Sequence, residues 1–150
     1  MLMSDNTVPE RRTRSLTMIK KIVSSRTEML SLYGTLAAKK PFTEDIDDVS
    51  ELLAEFCEDL VDYTANAHFQ LYRYFAENRE RRGDVAAVVD QIYPRIVEIT
   101  QSILDFNDKY DSDRQRHELD NLESDLSKLG EELAERIELE DQLINVLVNR

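Results

Sequence analysis

The chain has 150 residues, 41% of them hydrophobic, with 3 Gly, 3 Pro and no Trp, which suits one packed domain with few chain breakers. The lone cysteine, Cys57, excludes an internal disulfide, no apolar run approaches bilayer length, and the N-terminus lacks a signal peptide's apolar stretch, so a cytoplasmic protein is expected. A formal charge of −12 argues against nucleic acid as a direct ligand, because phosphate binding rests on neutralisation by Lys and Arg.

That charge is unevenly spread. Residues 1–40 hold 8 Lys/Arg against 3 Asp/Glu, residues 41–62 hold 9 Asp/Glu and no base, and residues 104–141 hold 14 acids against 5 bases. Acidic faces of this kind attract a basic protein partner and speed its encounter, although they also serve simply to keep a protein in solution.

In chain order, Leu16, Ile19, Val23, Leu30, Tyr33 and Ala37 recur at helical spacing and predict a first helix from near Pro9 to Ala38, with about the first seven residues frayed. Lys39-Lys40-Pro41 ends it, since the residue before proline is pushed out of the helical region. Thr43 is placed to cap a second helix reaching about Asn78, with the stripe Leu53, Phe56, Leu60, Tyr63, Ala67, Leu71 and Phe75. Glu80-Arg81-Arg82-Gly83-Asp84 reads as a turn, with Gly83 suited to a left-handed conformation and Asp84 to a cap. A third helix carries Val85, Val89, Ile92, Ile96, Ile99, Ile103, Phe106 and Tyr110, and Pro94 within it should bend the helix or start a new one. Asp111-Ser112-Asp113 then caps a fourth helix with Leu119, Leu122, Leu126, Leu129 and Leu133, whose pattern slips to Ile137, Ile144 and Leu147 and draws Arg136 or Glu140 towards the seam. The expected fold is all-α: one domain over residues 1–150, an antiparallel four-helix bundle roughly 40 Å long at 1.5 Å per residue, with the third helix bent at its proline. Leu60, Leu71, Ile96, Ile99, Leu126 and Leu133 are expected to be buried together.

Little in the sequence supports catalysis. Only His68 and His117 are present, and a di-iron bundle needs Glu-x-x-His on two helices where this chain has Ala65 and Arg114. Cys57 and His68 stand eleven residues apart, about 16 Å along a helix, too far for a nucleophile and its base. Cys57 reads as a small buried hydrophobe, His68 as a core or boundary residue bonded across helices, and Glu132, Arg136 and Glu140 as an exposed salt-bridged ladder. No glycine-rich phosphate loop is present, and the Met and Tyr residues are too scattered to mark a cofactor pocket, so no catalytic residue, metal or cofactor is assigned. A metal-binding bundle, or a helical enzyme with a small-molecule substrate, is the competing reading.

One stripe on the second helix departs from the core pattern. Asp62, Ala65, Asn66 and Phe69 share a face rotated away from the Leu60 to Leu71 line, and a large aromatic beside a carboxylate and small residues suits a contact surface. Burial of the second helix over a wider arc is the alternative.

The segment Phe56-Cys57-Glu58-Asp59-Leu60-Val61-Asp62-Tyr63, followed by His68-Phe69 and Tyr72, resembles the central signature of the regulator-of-sigma-D (Rsd/AlgQ) family. A second similarity is Leu126-Ser127-Lys128-Leu129-Gly130-Glu131 leading to Leu133, Arg136, Leu139-Glu140-Asp141 and Leu143-Ile144. A weaker one joins Ile92-Tyr93-Pro94 to Thr100-Gln101 and Ile103-Leu104-Asp105-Phe106. The resemblance implies a cytoplasmic helical protein that sequesters the housekeeping sigma factor, chiefly through its promoter-binding region four, and lowers its supply to core RNA polymerase. It also implies candidate secondary partners: a phosphocarrier protein of the sugar phosphotransferase system and the hydrolase of the stringent-response nucleotide. Lys20-Lys21-Ile22-Val23 departs from the family pattern, which has an Asp-Arg-Trp-Leu stretch there. The partner surface is placed on Asp62, Ala65, Asn66, Phe69 and Tyr72.

Overall fold

The computed structural model describes residues 2–78, 83–110 and 119–148, with side chains over 16–71, 86–110 and 119–146. Four long helices follow one another: α1 (Leu2–Ala37), α2 (Ile46–Asn78), α3 (Gly83–Lys109) and α4 (Leu122–Val148), the last preceded by a 3₁₀ turn at Leu119–Asn121. Each packs against the next, and α4 returns to α1, closing an antiparallel four-helix bundle.

Burial follows the expected stripes on α2, on α3 and on α4 as far as Leu133; beyond it the buried row is Arg136, Glu140 and Leu143, with the expected Ile137 and Ile144 half-buried. Leu60, Leu71, Ile96, Ile99, Leu126 and Leu133 all join one hydrophobic cluster, together with Phe56, Ile103 and Leu122. Phe56 stands at its centre, edge-on to Tyr33 of α1 at 5.8 Å and to Phe106 of α3 at 6.2 Å between ring centroids. These aromatic contacts tie three helices into one layer. Phe75, Val85 and Leu147 lie outside the residues whose side chains are described, as does the cap expected at Asp111-Ser112-Asp113.

Helix α1 corrects the sequence reading. It begins at Leu2, upstream of the Pro9 start. Of its expected stripe, Leu16, Val23 and Leu30 are exposed, while Ile19, Tyr33 and Ala37 only flank the core. The buried row is instead Met18, Ile22, Arg26, Met29 and Leu36. Both rows have helical spacing, but the true one contains an arginine, and a charge in the seam disguises it as a solvent face.

Two local expectations also shift. The residue preceding α2 is Asp45, not Thr43: it takes a left-handed φ of 54°, which Asp tolerates, and its carbonyl accepts the Val49 N–H at 3.0 Å. Buried Phe42 anchors this connection, which includes a cis Lys40–Pro41 bond, and Lys39 pairs with Asp48 at 2.8 Å. Gly83 is the first residue of α3, and no glycine among the described residues has a positive φ. Helix α3 runs on through Pro94 without a new start.

Gly130 is required by its surroundings. The Tyr33 hydroxyl donates to the Leu126 carbonyl at 2.9 Å, laying the ring over α4 where a Cβ at residue 130 would meet its Oη at 2.2 Å and its Cζ at 2.9 Å. Elsewhere in a helix, glycine to alanine is worth up to about 1 kcal/mol of stability. Here Gly130→Ala should instead lose about 1 to 2 kcal/mol in denaturant unfolding, because overpacking outweighs propensity. The same change in a Tyr33→Leu background should be neutral or stabilising; a loss persisting there would assign the cost to something other than the ring.

Candidate partner-binding site

Rotation of α2 decides which of its residues meet solvent. Tyr63, Ala67 and Leu71 are fully buried or nearly so and Thr64 is buried beside them, while Asp62 and Asn66, one position before that line, are turned outward. Asp62, Ala65, Asn66 and Phe69 are accordingly all exposed on one face, and Phe69 at 69% is the most exposed large hydrophobic among the described residues. The wider-arc alternative fails for Phe69. His68 corrects its own expectation as well: its side chain is exposed, edge-on to the Phe69 ring at 6.2 Å. The side chain of Tyr72 lies outside the described residues, so the structure brings together four of the five expected site residues.

Asp62 and Asn66 also line an open groove of about 620 Å³ between α1 and α2. Its α2 wall adds Asp59 and Gln70, and its α1 wall brings Lys20 and Lys21. The sequence singled out these lysines as a departure from the family pattern, but not as neighbours of Asp62. A partner entering here meets the carboxylates of Asp59 and Asp62 on one wall, and on the other the ammonium groups of Lys20 and Lys21 together with the Glu28 carboxylate.

Beneath this face lies a polar layer to which every helix contributes. The Tyr63 hydroxyl of α2 donates to Glu140 of α4, at 2.6 Å to Oε1 with Oε2 also in contact, joining the two diagonally opposed helices. Arg26 of α1 reaches Glu140 at 3.5 Å and Asp141 at 3.0 Å. Arg136 donates to the Thr100 hydroxyl of α3 at 2.7 Å, and its Nε lies 3.5 Å from Glu140 Oε1. Tyr63, Arg136 and Glu140 are at most 1% exposed, so two of the three residues of the expected solvent ladder on α4 belong to a buried network, while Glu132 is half-buried. It is the pattern slip on α4 that carries Arg136 and Glu140 inward.

Burial, and next the Glu140 carboxylate, push the Tyr63 pKa well above the ordinary phenol value, which keeps it a donor. Burial works against the charge on Arg26, but Tyr63, Glu140 and Asp141 outweigh it and raise its pKa. Arg26 Nε and Arg136 Nε are buried without hydrogen-bond partners among the described residues, so charge balance contributes more here than complete hydrogen bonding. Because Tyr63 adjoins Asp62, its bond to Glu140 holds α2 in the rotation that presents Asp62, Asn66 and Phe69.

Cys57 is buried as expected. Among the described residues no group of three or more His, Cys, Asp or Glu side chains is arranged to hold a metal ion, and no helix is long and apolar enough to cross a membrane.

Residues 1–148 match the family described as regulator of RNA polymerase sigma(70) subunit, Rsd/AlgQ. Proteins named regulator of sigma D are similar to the chain over most of its length. That of Yersinia pseudotuberculosis serotype O:1b (strain IP 31758) is 33% identical over 134 residues, covering 85% of this chain and 77% of the relative. That of Shigella dysenteriae serotype 1 (strain Sd197) is 31% identical over 154 aligned residues, covering 99% and 95%. No solved structure gives a significant match.

Proposed function

The chain belongs to the Rsd/AlgQ family of regulators of the RNA polymerase sigma(70) subunit, and from that premise we propose that it is an anti-sigma factor: it binds the housekeeping sigma factor, mainly at region four, and withholds it from core polymerase and promoters. The observation that carries this reading is the exposed Phe69 on the α2 face that also bears Asp62, Ala65 and Asn66. Region four is a basic helix-turn-helix module whose own ligands are DNA phosphates and an apolar flap of polymerase. An acidic helix presenting one large aromatic offers counterparts to both: Asp62 for a basic side chain, Phe69 for an apolar pocket, with Ala65 and Asn66 small enough to let backbones approach. Tyr72 extends the surface along the same helix. Occupying region four in this way competes with promoter and polymerase for one surface, and that competition requires no catalysis and no cofactor. It takes place in the cytoplasm, where polymerase is.

Mixing the protein with the sigma factors of its own cell should give co-elution with the housekeeping factor. Affinity should fall as salt rises but level off above zero, since charge steering is screened over a Debye length of about 10 Å at 0.1 M while apolar contacts persist. Binding indifferent to salt would reduce the acidic segment 41–62 to a solubilising role, and absence of any complex would overturn the reading. The same assay with the phosphocarrier and the nucleotide hydrolase tests the two secondary partners implied by the family.

A further inference from the structure

The groove between α1 and α2 is lined by polar side chains alone, and its charges are ordered along its length. The Arg26 guanidinium donates to the Tyr63 hydroxyl, which puts these two residues at one level of the antiparallel pair. Counting from that level at 1.5 Å per residue, Lys20 and Lys21 lie about 8 Å towards one end, on the side of Asn66 and Gln70. Glu28, Asp59 and Asp62 lie about 4 Å towards the other. The groove therefore has a basic end and an acidic end whose centres are about 12 Å apart, the rise of about eight helical residues.

Within the chain these five charges are unpaired. Among the described residues none of them has an ion-pair partner, whereas elsewhere on the surface Lys39 pairs with Asp48, Arg95 with Glu135 and Lys109 with Asp125. Four of the five are exposed and Asp59 is half-buried, so a molecule laid in the groove meets all of them. Distance decides how it does so. At 0.1 M salt the Debye length is about 10 Å, less than the separation of the two ends, and a charge in the groove responds to the end it lies over more than to the sum of both. A basic side chain is attracted over Asp59 and Asp62 and repelled over Lys20 and Lys21. Rejecting a wrong partner by like charge contributes to specificity as much as attracting the right one.

We propose that the groove reads the charge order of its partner. It accepts a helical segment whose basic residues are gathered over Asp59 and Asp62, with no positive charge about eight residues further along, and Lys20 and Lys21 turn away a segment that is basic throughout. The identity of that partner rests on the anti-sigma reading, in which the two lysines are specificity-determining residues: they decide which basic helix-turn-helix surface can dock against the α2 face.

Two synthetic helical peptides of one composition test the order without sigma, one with its lysines gathered at a single end and one with them spread evenly. Titrated into isotopically labelled protein at 0.1 M salt, the gathered peptide should bind about fivefold more tightly than the spread one, and its resonance shifts should centre on Asp59 and Asp62. In the Lys20→Gln, Lys21→Gln double variant the spread peptide should gain about tenfold, the scale of two exposed charge contacts, and the gathered one less than about twofold. Lys40→Gln with Lys128→Gln, exposed lysines outside the groove, makes the same change in net charge and should leave the ratio as it is. Equal affinity for the two peptides, binding of neither, or an equal gain in the control would overturn the proposal. Selectivity between peptides in a protein that forms no sigma complex would keep the charge order and discard that partner. A sigma complex without the selectivity would keep the partner and discard the charge order.

Discussion

Replacing Glu140 with alanine is expected to lower the stability of the bundle by about 3 to 5 kcal/mol, the scale of breaking a buried ion pair by removing one partner. The carboxylate is fully buried, accepts from the Tyr63 hydroxyl and stands between the guanidinium groups of Arg26 and Arg136. Removing it leaves both cations inside with less than their compensating charge: among the described residues Arg26 retains the half-exposed Asp141 and the neutral Tyr63 hydroxyl, and Arg136 retains the neutral Thr100 hydroxyl. A solvent-exposed ion pair, screened and already hydrated, contributes far less. Glu140→Gln should fall between wild type and Glu140→Ala, because it retains an acceptor for Tyr63 but not the charge. Replacing Arg26, Tyr63, Arg136 and Glu140 together by well-packed apolar residues should recover most of the loss, since the network's desolvation cost disappears with it. Urea unfolding measures all three, and a Glu140→Ala protein as stable as wild type would show that the layer contributes nothing net.

The same layer explains where the sequence is readable and where it is not. Helices α2, α3 and α4 bury rows of Leu, Ile and Phe, so apolar spacing alone identifies their inner faces. Helix α1 carries two rows of helical period. The buried one passes through Arg26, whose place inside depends on Glu140, 114 residues away in sequence, and local spacing contains no trace of that partner. The exposed row of Leu16, Val23 and Leu30 is the more apolar to the eye. On α4 the slip after Leu133 correctly signals that Arg136 and Glu140 approach the seam, yet their i, i+4 spacing equally fits a surface ladder; only Tyr63 and Arg26 arriving from other helices decide between the two. The outward stripe on α2 is legible because both of its neighbours, the Leu60 to Leu71 line and the polar positions, are regular. The cation-lined wall opposite Asp62 is not, since it depends on how α1 lies against α2.

Phe69→Ala should weaken sigma binding by about 2 kcal/mol or more, roughly thirtyfold in affinity, while the melting temperature hardly moves. The two measurements separate because the ring is 69% exposed in the free protein and fills no part of the core. Its burial occurs only in the complex, so truncation forfeits contact area there and leaves no cavity in the bundle. Asp62→Ala should weaken binding too, but its effect should shrink at high salt, as a charged contact screened by ions does and an apolar one does not. Lys20 and Lys21 provide the contrast: facing Asp62 across the groove, they oppose the approach of a basic partner, so replacing both with glutamine should tighten binding at low salt and change little at high salt. A Phe69→Ala protein that binds sigma as well as wild type would remove the α2 face from consideration. One that unfolds would contradict its exposed position. Stability retained with affinity lost, together with opposite salt trends for Asp62 and the lysines, is the pattern that a charged groove with one aromatic anchor requires.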